Sequence, residues 1–351
     1  MQLGIIGLPL VGKTTVFELL TGSTTKNQNP SKTNLGMARI PDERIDFLAD
    51  LYKPKKTTYA QLEVIDIPGL VPGAEKTASI FLDTVRRSDA LLHVVKVFNN
   101  QSLNSNIDPV KDIETINYEL LLADLDLIEK RIDRINSNKK KNNFLDELAL
   151  LERLKESLEN EIPIAAIELN TEELQMLNNY QFLTTKPILI CLNISESDLL
   201  EKDYPQRKKV IEFANDHNLP VVEMSAEIEC ELAELDGEER TAFMHELGIE
   251  ESGITKISQS MYHRLGLISF FTVGEDEVKA WTIEKGTSAR KAAGKIHSDI
   301  ERGFIRAEVV DYNDLRILGS INTVKEKGLF RLEGKEYTIK DGDVVHFRFN
   351  I

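Results

Sequence analysis

The sequence predicts an α/β protein: a parallel sheet flanked by helices, interrupted by an antiparallel helical hairpin and followed by a small mixed-sheet domain. Three observations predict it. A glycine-rich loop joins an apolar strand to a helix within the first twenty residues. The hydrophobic period changes near residue 111 from strand-like runs to three-and-four spacing, then reverts before residue 187. Beyond Leu267, alternating strands, one helix and an Asp-Gly turn succeed each other. The expected spans are 1–110 and 166–266 for the sheet domain, 111–165 for the hairpin and 267–351 for the last domain.

The opening strand, Leu3 to Ile6, runs into Gly7-Leu8-Pro9-Leu10-Val11-Gly12-Lys13-Thr14-Thr15. This is G-x-x-x-x-G-K-[ST], the phosphate loop of P-loop NTPases. The glycines let backbone N–H groups turn inward on a β-phosphate, Lys13 reaches the β/γ oxygens, and the Thr14 hydroxyl suits Mg²⁺. Thr21 to Thr33 is a polar loop, the place where switch proteins add a hydroxyl to the Mg²⁺ shell. Ser31 and Thr33 are the candidates, with Thr33 taken as the metal-ligating one.

Tyr59 to Asp66 reads as a strand and ends in Asp66-Ile67-Pro68-Gly69, a D-x-x-G. Some 50 residues after a phosphate loop, this pattern lets Asp66 hold Mg²⁺ through water and the Gly69 N–H sense a γ-phosphate. Leu70 follows, where many GTPases carry a water-positioning Gln; intrinsic hydrolysis should therefore be slow or use another group. Ala90 to Phe98 is a buried strand, and His93 within it is expected to be a satisfied core histidine. Between Asp112 and Glu161, Ile113, Ile116, Leu120, Ala123, Leu127, Arg131 and Ile135 make one stripe. Leu145, Leu148, Leu151, Leu154 and Leu158 make the other. The tip, Lys139-Lys140-Lys141, reads as a solvated turn.

Strands return at Pro187 to Leu192, ending in Asn193-Ile194-Ser195-Glu196, and at Pro220 to Met224, ending in Ser225-Ala226-Glu227. In an α/β sheet, ligands sit at such carboxyl-end loops. The order of phosphate loop, D-x-x-G, N-x-x-acid and S-A is that of a GTPase-type G domain. The GTPase base reader is N-K-x-D, whose Asp accepts from guanine. Here Ile194 replaces the Lys and the longer Glu196 the Asp, so guanine is disfavoured and adenine fits. Mismatched polar groups cost about 1–3 kcal/mol each.

Asp236 to Gly248 and Glu250 to Leu265 are helical. The last domain opens at Ser269 to Val273 and alternates from Val278 to Ile283. A helix from Thr287 to Glu301 is followed by a strand, Asp341-Gly342 turn and strand between Tyr337 and Phe347. A helix across a small mixed sheet suggests a ubiquitin-like β-grasp. Arg290, Lys291, Lys295, His297, Arg302 and Arg306 give it a basic side. The net charge of −15 argues against wrapping DNA, but residues 267–351 balance 14 cations with 14 anions. Cys191 and Cys230 show no metal or disulfide spacing. With no apolar run long enough for a membrane and an opening core strand, the protein is expected to be cytoplasmic, without a signal peptide.

The ensemble resembles the Obg-like ATPase family, also called YchF proteins, over nearly the whole chain. The resemblance rests on G-L-P-x-V-G-K at Gly7 to Lys13, D-I-E-T-I-N-x-E-L at Asp112 to Leu120, and A-A-G-K-I-H-x-D at Ala292 to Asp299. G-F-I-R-A-E-V at Gly303 to Val309 and E-G-K-x-Y-x-I-K-D-G-D-V at Glu333 to Val344 complete it. It implies a G domain, a coiled-coil insertion and a C-terminal TGS-type domain. It also implies ATP hydrolysis in preference to GTP, and ribosome or ribosomal RNA as partner. Leu10 replaces the family's usual Asn, which helps hold K⁺ in related enzymes, so that support for potassium is gone. The glycine-rich segment usual after Leu70 is replaced by Glu75 to Ile80. The usual loop threonine falls on Pro30, and the shortened loop after Phe98 lacks the histidine many members carry there. Nucleotide binding is thus expected to exceed turnover. A translation-factor GTPase and a ribosome-binding scaffold are the alternatives.

Overall fold

The computed structural model describes residues 1–24, 33–71, 75–98, 107–139, 141–177 and 179–350. In chain order the strands are β1 (Gln2–Ile6), β2 (Asn34–Arg39), β3 (Lys56–Thr58), β4 (Gln61–Asp66), β5 (Ala90–Lys96) and β6 (Ile188–Asn193). They continue with β7 (Val221–Met224), β8 (Leu267–Thr272), β9 (Glu277–Glu284), β10 (Phe304–Asp311), β11 (Arg331–Glu333) and β12 (Asp343–Phe349). The helices are α1 (Lys13–Thr21), α2 (Glu43–Tyr52), α3 (Glu75–Arg87), α4 (Pro109–Asn136), α5 (Leu145–Glu159) and α6 (Thr171–Leu177). After them come α7 (Glu196–Glu201), α8 (Arg207–Asp216), α9 (Ala226–Glu234), α10 (Gly237–Glu246), α11 (Gly253–Arg264) and α12 (Ala289–Ile296).

The chain divides into two compact units: Met1–Gly36 with Glu63–Ile257, and Met37–Leu62 with Ser258–Ile351. The division differs from the spans expected above, which put residues 37–62 with the first domain. The physical reason is hydrogen bonding: β3 pairs in parallel with β9, Lys56 to Thr58 against Glu277 to Lys279, and so joins the second sheet.

The first unit is built on the sheet ordered β2-β4-β1-β5-β6-β7. β1 pairs in parallel with β4 and β5, β5 with β6, and β6 with β7. β1, β5 and β6 are near-continuous apolar runs, as strands covered on both faces must be. Parallel pairing sends the loops after β1, β4, β6 and β7 to one end.

The helical hairpin is present, but its stripes are not the ones expected. Ile113, Ile116 and Leu120 of α4 pack with the sheet strands. Only beyond them do Leu121, Ile128 and Ile135 face Leu150, Leu151, Leu154 and Leu158 of α5. One helix serves two partners, so its buried face rotates along its length. Leu127 is thereby only partly buried, and Leu145 is exposed. Asp124, fully buried, accepts from the Leu183 and Thr184 N–H groups and the Thr184 hydroxyl, at 2.9, 2.8 and 2.8 Å.

The second unit has the sheet order β11-β10-β12-β8-β9-β3. Ala289, Ala292 and Ala293 of α12 pack against Phe270, Ile283, Val309 and Phe347, the helix-on-sheet layer expected. That helix stops at Ile296, because the His297 Nδ1 accepts the Asp299 N–H and starts a separate short helix. Residues 337–340 are not the expected strand. They wrap the buried Asp343 carboxylate, which accepts from the Lys340 N–H at 2.9 Å and the Tyr337 hydroxyl at 2.8 Å. In the same unit Arg44 bridges Asp42 and Asp341. No helix among the described residues is long and apolar enough to cross a membrane.

Candidate functional site

The site forms where β1 meets α1. Gly12 takes a left-handed φ of 101° before α1 begins at Lys13. A Cβ there would lie 2.6 Å from the Asn193 Nδ2, so the residue must be glycine for the loop to close on β6. Lys13 is 8% exposed, and its Nζ donates to the Leu8 carbonyl at 2.7 Å. Burial lowers its pKa to about 8 against the pull of Asp66. The ammonium is held next to the loop whose N–H groups suit a phosphate.

Asp66 closes β4 and is buried. Its Oδ2 accepts from the Thr14 hydroxyl at 2.9 Å and the Asn34 amide at 3.3 Å. Burial raises the carboxyl's pKa, opposed by those two donors and by the Lys13 charge. Gly69 follows closely: a Cβ on it would stand 3.0 Å from both the Lys13 Nζ and the Pro9 N. The D-x-x-G segment and the phosphate loop therefore touch. Thr14 and Asp66 are hard oxygen donors side by side, a set that suits Mg²⁺, which takes one or two protein oxygens and fills its shell with phosphate and water.

Asn193 is a tie between loops. Its Nδ2 donates to the Val11 carbonyl at 3.1 Å and its Oδ1 accepts the Ala226 N–H at 3.1 Å. The phosphate loop, the end of β6 and the Ser225-Ala226-Glu227 loop are locked together. Each end of the Asn193 amide makes one hydrogen bond to protein, and the carboxamide keeps a second N–H and a second oxygen lone pair for the base it is expected to read. Ile194 was expected among the nucleotide contacts, but its side chain is buried with Val95, Leu192 and Tyr204. The Ser225 hydroxyl caps α9 by accepting the Ile228 N–H. Glu196 opens α7 just after its cap Ser195, exposed, as does Glu227 in the first turn of α9. Of the remaining loop residues, Gly7 and Val11 are buried, Leu8 and Thr15 half-buried, and Pro9 and Leu10 exposed.

Leu70 is fully buried with Ile6, Ile65 and Phe81, so it is a core residue. His93 is buried as expected, but among the described residues it is not satisfied: its Nδ1 has no hydrogen-bond partner there. Desolvation, with a smaller push from Lys13, lowers its pKa to about 3. Thr33 is exposed, immediately before β2; Ser31 lies outside the described residues. Sequence reasoning missed Asn34, whose only signal is its place in the Asn34-Leu35-Gly36 triplet. It also missed Glu229, a buried carboxylate accepting the Gly253 N–H at the start of α11.

Residues 2–125 match the family profile described as 50S ribosome-binding GTPase. Residues 267–350 match the C-terminal domain of YchF-type GTPases, described as a protein of unknown function. The chain is 44% identical to the ribosome-binding ATPase YchF of Bacillus subtilis, with 99% of each chain covered. It is 42% identical to the protein of that name from Haemophilus influenzae, again over 99% of each. The structure of the Schizosaccharomyces pombe YchF GTPase superposes with a TM-score of 0.89 at 32% identity, covering 99% of this chain and 97% of that one. A GTP binding protein from Pyrococcus horikoshii shares the fold, with a TM-score of 0.62 at 19% identity. With both profiles matched and the identity sustained from end to end, this chain belongs to the YchF family.

Proposed function

We propose that this protein is a Mg²⁺-dependent P-loop nucleotidase that binds ATP in preference to GTP, hydrolyses it slowly, and acts with the ribosome in the cytoplasm. The observation that carries the reading is the contact of Lys13, Thr14, Asp66 and Gly69, locked through Asn193 to the loops after β6 and β7. Lys13 and the loop N–H groups would stabilise charge on the β and γ oxygens. Thr14 and Asp66 would hold Mg²⁺, with Thr33 as a further ligand; the ion neutralises charge on the transferring phosphoryl group. Gly69 would report the γ-phosphate, and Glu196 would select adenine by failing to match guanine. Leu70 is fully buried and His93 has no aqueous face. Neither is available to orient water, which supports slow turnover by positioning alone.

The names of the relatives in Bacillus subtilis and Haemophilus influenzae, ribosome-binding ATPase, support both the nucleotide and the partner. In the second unit Arg290, Lys291, Lys295 and His297, all exposed, are the side chains proposed to meet ribosomal RNA. Calorimetry with ATP and GTP in Mg²⁺ tests the nucleotide choice. ATP should bind tighter, and Glu196→Asp should narrow the gap by improving GTP. Binding of GTP at least tenfold tighter than ATP by the unaltered protein would refute it.

The burial of Leu70 and His93, which keeps both from orienting water, also favours a second reading, a ribosome-bound scaffold whose shape nucleotide merely stabilises. Ribosome co-sedimentation unaffected by Lys13→Ala, with no phosphate released over hours, would support that. Steady turnover abolished by Lys13→Ala would exclude it.

A further inference from the structure

Asn34 is the first residue of β2 and is 8% exposed. Its amide donates to Oδ2 of Asp66, the oxygen that also accepts the Thr14 hydroxyl. Among the described residues no hydrogen bond goes to the Asp66 Oδ1, so two donors on one side set the rotation of the carboxylate and leave the other oxygen open. A carboxylate is otherwise loosely held, because its terminal torsion is broad. Thr14 alone is one short, exposed hydroxyl, and it has its own task at the metal. The Asn34 amide is the buried donor.

We infer that Asn34 is a positioning residue of the Mg²⁺ site: its amide, fixed on β2, aims the Asp66 carboxylate and anchors the chain directly after Thr33. The inference rests on the proposed role of Asp66 toward Mg²⁺ and names what holds Asp66 in place. Partners that orient a metal-binding group typically change metal affinity 10–100-fold when removed. Loss of Asn34 should therefore appear in the metal dependence of nucleotide binding rather than in nucleotide binding itself.

The test is ATP affinity of the full chain, by calorimetry, first in EDTA and then across a Mg²⁺ titration. The variants are Asn34→Leu, which keeps the volume and removes the donor, and Asn34→Ala, which admits water should the leucine prevent folding. The expected result is an ATP Kd in EDTA within about twofold of the unaltered protein, with the Mg²⁺ midpoint raised about 10- to 100-fold. The inference is overturned if the Mg²⁺ midpoint stays within twofold, or if ATP affinity in EDTA falls as far as it does in Mg²⁺, the mark of a merely structural role. Asp66→Ala separates the two levels. If it too leaves the Mg²⁺ midpoint unchanged, the proposed metal role of Asp66 fails and takes this inference with it. If Asp66→Ala shifts the midpoint and the Asn34 variants do not, only the assignment to Asn34 fails.

Discussion

Leu10 sits in the phosphate loop with a left-handed φ of 65° and 79% of its surface exposed. Neither property suits leucine. A left-handed backbone costs an ordinary L-residue about 1–2 kcal/mol, whereas asparagine visits it readily. Leu10→Asn should accordingly stabilise the protein by about 1 kcal/mol, read as a higher urea midpoint at unchanged slope. His93 carries the opposite kind of penalty. In the unfolded chain an imidazole takes a proton below about pH 6.5; in the fold it stays neutral down to about pH 3. Because the unfolded state then binds more protons, stability is present above pH 6.5 and is lost progressively as pH falls toward 3. Between pH 7.5 and 5.5 this one residue should cost about 1.4 kcal/mol. Urea denaturation at both pH values should show that loss shrinking in His93→Leu. An equal loss in both proteins would refute the assignment.

At the scale of elements, α4 shows how one polar contact decides where a helix lies. Its apolar residues divide between the sheet and α5, and hydrophobic contact alone would tolerate sliding along that seam. Asp124 removes the freedom by taking three hydrogen bonds from Leu183 and Thr184, just ahead of β6. Asp124→Ala leaves those donors buried and unpaired, at about 1–3 kcal/mol for each group left unsatisfied. The expected outcome is a loss of about 3 kcal/mol or more in chemical denaturation, with faster hydrogen exchange in residues 179–187. A loss under about 1 kcal/mol would show that packing alone sets the register.

At the scale of the whole molecule, the consequential feature is that Met37–Leu62 belongs to the same compact unit as Ser258–Ile351. β3 covers the edge of β9, the Arg44 guanidinium of α2 lies 5.2 Å from the Phe271 ring centre, and Phe47 meets Tyr312 edge-on at 5.7 Å. A fragment of residues 267–351 would bare that edge and those side chains, and exposed strand edges promote association. Such a fragment should aggregate or melt well below a version to which residues 37–62 are joined by a linker. Light scattering and a thermal melt would tell, and equal behaviour of the two would show that the segment is dispensable.

The sequence by itself determined which loops make the candidate site. The phosphate loop, the D-x-x-G and the two strand-end motifs are short, local patterns whose chemistry depends on residue type and spacing, and parallel strand order brings them to one end. It also determined the helix-on-sheet layer after Leu267, because the alternation around Trp281 and the alanine face of α12 are periodic. Only the tertiary structure decided the rest. That Asn193 would tie Val11 to Ala226, that Asn34 would reach Asp66, and that β3 would join the second sheet all depend on contacts between distant residues. Such contacts leave no period in the chain, since a single hydrogen bond or a three-residue strand is specified by where its partner lies, not by its neighbours in sequence.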